Sequence, residues 1–140
     1  DARPLAGHRL ARHDLDCFAM RGDALLEETH VLAHPAEVAE RAAELGIEVL
    51  KPEHPILEGM DFSELPPILG YNQVKPKAGA DVVARWKGTD DPLLAVAQIG
   101  KGRSVAYTSD PAPHWGCNFV FWEHYAKFWL NVVDWLVKAK

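Results

Sequence analysis

Apolar and polar positions along the chain fall into four zones. In residues 1–29, Leu5, Leu10, Leu15 and Phe18 keep no clean period, while Arg3, His8, Arg9, Arg12 and His13 make the start basic. This zone reads as loop with short helical pieces. Residues 30–50 predict a strand–helix–strand unit. His30-Val-Leu-Ala33 is a short apolar run, and Pro35 suits a first helical turn, where its missing N–H costs nothing. Val38, Ala42 and Leu45 then share one helical face, with Glu37–Arg41 as an i, i+4 pair. Gly46 is a natural helix stop, and Ile47-Glu-Val-Leu50 is the second strand. Such a unit predicts a parallel pair with a right-handed crossover.

Residues 51–80 are dense in Pro and Gly, so they read as connection with short extended pieces such as 68–74. From residue 81 regularity returns. Asp81–Trp86, Leu93–Ile99 and Arg103–Ser109 are strand candidates, the last two joined by a Gly100-Lys-Gly102 hairpin turn. Residues 118–138 predict one helix of about 20 residues, roughly 30 Å long. Glu123, Lys127, Asn131, Asp134 and Lys138 form its narrow polar stripe; most of the remaining circumference is apolar. A helix of that kind is buried on more than one side. The expected architecture is one α/β domain over 1–140, with residues 81–140 its most regular part.

Composition narrows the function. The chain has 140 residues, 48% hydrophobic and 25% charged, with a net charge of -5. That length suffices for one domain with a sizeable core. The acidic balance argues against a general nucleic-acid binder. No long uncharged apolar run predicts a membrane span, and the N-terminus lacks a signal-peptide core. The first residue is Asp1 rather than Met, as expected of a processed or trimmed chain. The two cysteines, Cys17 and Cys117, make no disulfide framework, so a reducing cytoplasm is expected. The seven histidines include His8 and His13, His30 and His34, and His114 and His124. The i, i+4 pair at 30 and 34 spans a strand-to-helix turn, so no metal site is expected, and no cofactor.

The candidate site is the loop after the 103–109 strand. In open α/β sheets ligands bind beyond the carboxyl ends of strands. Asp110, His114 and Trp115 stand there, with Tyr71 and Asn72 expected near the rim. Each has a plainer reading. Asp110 caps the turn into Pro111, His114 bonds a carbonyl, and Trp115 covers the helix start. Asn72 is an ordinary turn residue, and His124 a packed histidine.

Residues 53–138 resemble the C-terminal half of class I glutamine amidotransferase-like proteins related to the trehalose-utilisation ThuA group. The resemblance rests on Glu53-His-Pro-Ile-Leu-Glu-Gly59, Pro67-Ile-Leu-Gly-Tyr-Asn72, Asp91-Pro-Leu-Leu94, Gly100-Lys-Gly-Arg103, Ser109-Asp-Pro-Ala-Pro-His-Trp115 and the helix ending Trp135-Leu. It implies a flavodoxin-like sheet with flanking helices, here reduced in its N-terminal half. It implies an ancestry in glutamine hydrolysis rather than that activity. The family's nucleophile sits on a Gly-x-Cys-x-Gly elbow, and neither Cys17 nor Cys117 has that context. Where the family carries its catalytic His, this chain has Ser109 or Asp110. A thiolate without a base is a poor nucleophile.

Two functions are therefore weighed. The first is a domain without glutaminase activity that binds a small polar or carbohydrate-like ligand, or a partner chain. The second is a hydrolase or sugar-modifying enzyme using Asp110 and His114 as acid–base groups. The thin covering of so apolar a helix also predicts a homo-oligomer or partner chain, through Phe119, Phe121, Phe128 or Trp135 or through a sheet edge.

Overall fold

A computed structural model describes residues 26–30 and 45–138, with side chains from residue 45. Its strands are β1 (Leu26–His30), β2 (Ile47–Val49), β3 (Gln73–Pro76), β4 (Asp81–Trp86), β5 (Pro92–Ile99) and β6 (Gly102–Tyr107). Helix α1 (Tyr125–Val137) closes the domain. Single 3-10 turns stand at Pro55–Leu57 and Phe119–Phe121. The main sheet has the order β2-β4-β5-β6, and β1-β3 form a separate two-stranded sheet. All these pairings are antiparallel.

The hydrophobic pattern explains the order. In β5 the first six residues are all buried, as befits a central strand covered on both faces. Its hairpin to β6 turns at Gly100, whose φ of 59° is left-handed and so favours glycine. The three long strands fall where alternation and turn residues place them, at 81–86, 92–99 and 102–107.

Two expectations need correction. The strand–helix–strand unit at 30–50 does not give a parallel pair. β1 and β2 lie in different sheets, each antiparallel to another strand. β2 is held to β4 by the ladder and by Arg85 Nε donating to Glu48 Oε2 at 2.9 Å. β1 begins at Leu26, inside the zone read as irregular. The helix expected from Pro35, and residues 31–33, lie outside the described residues. The closing helix is likewise not continuous from 118. Trp122 is extended (φ -66°, ψ 130°), which separates the 3-10 turn from α1. Phe119 and Trp122 both lie in the core, at 2% and 4% exposure.

That core is largely aromatic where α1 meets the sheet. Phe119 lies 5.8 Å from Tyr107, 5.1 Å from Tyr125 and 5.7 Å from Phe128, ring centre to ring centre. Edge-to-face and offset contacts of this kind add to the burial of apolar area. Phe119 and Phe128, expected on the outer side of the helix, are therefore core residues. Polar groups fix α1 along its length. Lys127 Nζ donates to the Gly59 carbonyl at 2.9 Å, and Asn131 Nδ2 to the Ile56 carbonyl at 3.1 Å. Arg103 donates from Nη1 to the Trp135 carbonyl at 2.8 Å while stacking on the Trp135 ring. Two of the five residues of the polar stripe, Lys127 and Asn131, are thus bonded to the 55–59 segment.

Phe119→Ala should lower the unfolding free energy by about 3–5 kcal/mol in urea denaturation, because it leaves a large cavity. Phe121 lies two residues on but is 85% exposed. Phe121→Ala should therefore stay within about 0.5 kcal/mol of the wild type.

His54 gives a pH dependence. Its Nδ1 accepts the Ile56 N–H at 3.3 Å and caps the first 3-10 turn, so the ring must be neutral. Burial first, and then the Lys51 charge, push its pKa below 6.5. A histidine lowered on folding contributes full stability above its unfolded pKa and loses it as pH falls through that value. Thermal melts should therefore show a loss of stability as pH falls from about 7 towards 5. His54→Asn keeps an acceptor that does not titrate, and should flatten that part of the profile.

Candidate functional site

The site loop begins where β6 ends. Thr108 and Ser109 are polar yet buried, and each hydroxyl has a carbonyl to bond. Thr108 Oγ1 donates to Pro92 at 2.8 Å, and Ser109 Oγ donates to Gly70 at 2.7 Å. The Thr108 carbonyl accepts the Asn72 N–H at 2.7 Å. These bonds tie the end of β6 to the 70–72 segment, and the loop leaves from a fixed point.

Asp110 then shapes the loop. Its Oδ1 accepts the Gly116 N–H at 2.6 Å and its Oδ2 the Trp115 N–H at 3.2 Å. The 111–116 segment folds back over it through a cis Ala112–Pro113 peptide. The Trp115 carbonyl accepts the Leu69 N–H at 2.9 Å, which anchors the far side. Gly116 is required by this closeness. A methyl group there would overlap the Asp110 and Pro111 carbonyls.

Each expected site residue can now be placed. Asp110, His114 and Trp115 share the loop. His114 is 78% exposed, with Nδ1 3.7 Å from Asp110 Oδ2, beyond hydrogen-bond length. Trp115 is half-buried and packs against the core. Asn72 joins the loop through its backbone and leaves its side chain exposed. Tyr71 turns inward instead. It stacks on Trp86 at 4.3 Å, is 5% exposed, and donates its hydroxyl to Asp91 Oδ2 at 2.9 Å. Gln73 Nε2 donates to the same oxygen at 3.1 Å. Asp91 and Gly116 went unsingled in the sequence. An Asp-Pro at a strand start and a Gly closing a Pro-rich loop were the available signals. Beneath the loop, burial and then the Asp110 charge push the Tyr107 phenol above its usual ionisation range.

Cys117 is a free, half-buried thiol in the loop, away from any strand–helix elbow. Cys17, His8, His13 and His34 lie outside the described residues. Among the described residues no three His, Cys, Asp or Glu side chains converge as metal ligands. No helix among them is long and apolar enough to cross a membrane.

A surface groove among the described residues lies elsewhere. It measures about 870 Å³ and runs between the 52–61 segment and His124, with Glu53, Glu58 and Asp61 on its walls. None of the expected site residues lines it. Its Asp61 is occupied with its own turn. The carboxylate accepts the Ser63 N–H at 2.8 Å, and the Ser63 side chain and backbone lower its pKa. The groove is wide open to solvent, and the loop offers the more varied chemistry.

Residues 30–138 match the model of the GATase1-like family, described as putative glutamine amidotransferase. The chain belongs to this family. Among solved structures it is similar to the cytoplasmic protein STM3548 from Salmonella typhimurium, at 35% identity and a TM-score of 0.58. That match covers 64% of this chain and 35% of the other. The cytoplasmic protein STM1381 from Salmonella typhimurium LT2 is 40% identical with a TM-score of 0.57, covering 64% and 36%. The GATase1-like chain thus spans about a third of the length of these two proteins. No curated protein matches it.

Asp110→Ala should lower the unfolding free energy by roughly 1.5–3 kcal/mol, since it removes a charged acceptor from two backbone donors. His114→Ala should change it by less than about 0.5 kcal/mol, because the ring is exposed and its ion pair is long. Urea titration of both variants checks the contrast.

Proposed function

We propose that this chain provides a GATase1-like domain that binds a small polar ligand at the loop after β6 and does not itself hydrolyse glutamine. The observation that carries the reading is the state of Asp110. Both carboxylate oxygens already accept backbone N–H groups, so this carboxylate, one of the two residues (Ser109 or Asp110) where the resemblance would put the family's catalytic histidine, holds the loop. Cys117 stands in the same loop with no base assigned to it. The half-buried Trp115 and the exposed His114 imidazole beside it in the loop offer an aromatic surface with a polar neighbour, and Asn72 is exposed on the segment bonded to the end of β6. That combination suits a carbohydrate-like ligand, which stacks an apolar sugar face and bonds its hydroxyls. It also accords with the sequence resemblance to the trehalose-utilisation ThuA group. The two similar solved proteins are described as cytoplasmic, which favours an intracellular setting for this chain as well.

A hydrolase using Asp110 and His114 as an acid–base pair is the weaker reading. General catalysis needs a free carboxyl within reach of its partner. Here the carboxylate is spent on the loop backbone, and the imidazole is 3.7 Å away.

The test has two arms. Glutamine incubated with the purified chain should release no ammonia above buffer; release that disappears in Cys17→Ser or Cys117→Ser contradicts the proposal. In a thermal-shift screen of mono- and disaccharides and amino acids, a binder raises the melting point by mass action. That rise should vanish in Trp115→Ala, measured against its own unliganded melt, and survive in His124→Ala. A rise lost only in His124→Ala would move the site to the 52–61 groove.

A further inference from the structure

Helix α1 keeps an apolar stripe on its outer side. Ala126, Leu130, Val133 and Val137 are all exposed, the last three at 69%, 52% and 72%. Their spacing of four, three and four residues places them on one line of the helix. Phe128 and Val132, the buried residues of α1, lie on the other side. Exposed aliphatic residues in a row along one helix are unlike the scattered ones of an ordinary surface.

The charges beside the stripe say what fits it. Lys127 and Asp134, one heptad apart, both flank the stripe on the same side, and Lys138 follows them just past the helix end. The opposite flank carries half-buried Trp129 and Leu136. When two copies of a helix pack antiparallel about a two-fold axis, like flanks face each other. With the axis passing between Leu130 and Val133, Leu130 meets Val133 of the second copy. Ala126 then meets Val137 of the second copy. In that register Lys127 faces Asp134 of the second copy, and Asp134 faces Lys127, so the flank is self-complementary. Parallel packing would set the charged flank against Trp129 and Leu136 and leave the charges without opposite partners. The surrounding charges were otherwise used within one chain. Asp134 Oδ2 accepts from Lys138 Nζ at 2.5 Å, and Lys127 spans to the Gly59 carbonyl. These are exposed, single-chain contacts that a facing charge can share.

The geometry points to antiparallel self-association of this chain through α1. Thirteen residues make a helix roughly 20 Å long, so one face buries well under the ~800 Å² per partner of a standard stable interface. The association is accordingly weak, with a dissociation constant on the order of 0.1 mM, and lies at the transient end of protein contacts. Nothing in it depends on the ligand reading above.

Sedimentation equilibrium of the whole 140-residue chain, from about 10 μM to about 1 mM, tests it. Average mass should rise from monomer towards dimer across that range. Leu130→Glu should abolish the rise, and Asp134→Lys should weaken association by about tenfold or more through like charges facing each other. Adding Lys127→Glu to Asp134→Lys restores opposite charges, and should recover most of the association. A monomer at every concentration overturns the proposal. So does a dimer untouched by Leu130→Glu, or a double variant no better than Asp134→Lys. Circular dichroism confirms folding of each variant. Should Lys127→Glu unfold the chain, a nitroxide at Ala126→Cys, with Cys17→Ser and Cys117→Ser, decides orientation. Labelled Cα positions lie roughly 20 Å apart in the antiparallel pair and about 10 Å apart in a parallel one, and the shorter distance overturns the register.

Discussion

The domain is organised by the contact of one phenylalanine with the aromatic rings around it. Phe119 meets Tyr107 from β6, Trp122 from the approach to α1, and Tyr125, Phe128 and Trp129 from α1 itself. A close-packed ring cluster admits few alternative arrangements, so it fixes where the chain must enter the helix. The extended Trp122 stands between the 3-10 turn and α1, with its ring stacked 5.8 Å from Phe119. The direction of α1 follows in turn, and with it the stripe that remains outside.

The loop after β6 is stretched between two fixed ends. One is the end of β6, tied to the 70–72 segment by Thr108 and Ser109. The other is the aromatic cluster that begins at Phe119. Between them the chain must double back within a few residues, and its backbone N–H groups need acceptors. Asp110 supplies two, and Gly116 supplies the room. The same geometry that forms the loop withdraws its carboxylate from acid–base work and leaves His114 and Trp115 at the surface.

Much of this was legible in the sequence, for physical reasons. β4, β5 and β6 announce themselves by apolar runs bounded by Gly, Asp and Pro, and by a glycine turn. The loop after β6, with Asp110, His114 and Trp115 in it, follows from the strand end. The plainer reading of Asp110 as a turn cap also accounts for its two backbone bonds. What local pattern could not supply was the partner of each strand. β2 carries the alternation of a strand but pairs with β4, far along the chain, and nothing in Ile47–Val49 names that partner. Tyr71 shows the same limit. A Gly-Tyr-Asn turn suggests an exposed ring, yet stacking on Trp86 and a hydroxyl bond to Asp91 draw it into the core. The closing segment reads as one helix because periodicity records which residues are apolar, and not where the backbone leaves the helical conformation, as it does at Trp122.

The central claim is that the loop is held shut by Asp110, with its carboxylate bonded to the backbone of Trp115 and Gly116. Native-state hydrogen exchange followed by NMR measures it most directly, amide by amide. The Trp115 and Gly116 amides should be protected well beyond the amides of the exposed Gly88 and Asp90. They should also resist exchange more than the neighbouring His114 amide. Exchange of both at the rate of an unstructured peptide would mean that Asp110 is free, and would contradict the account.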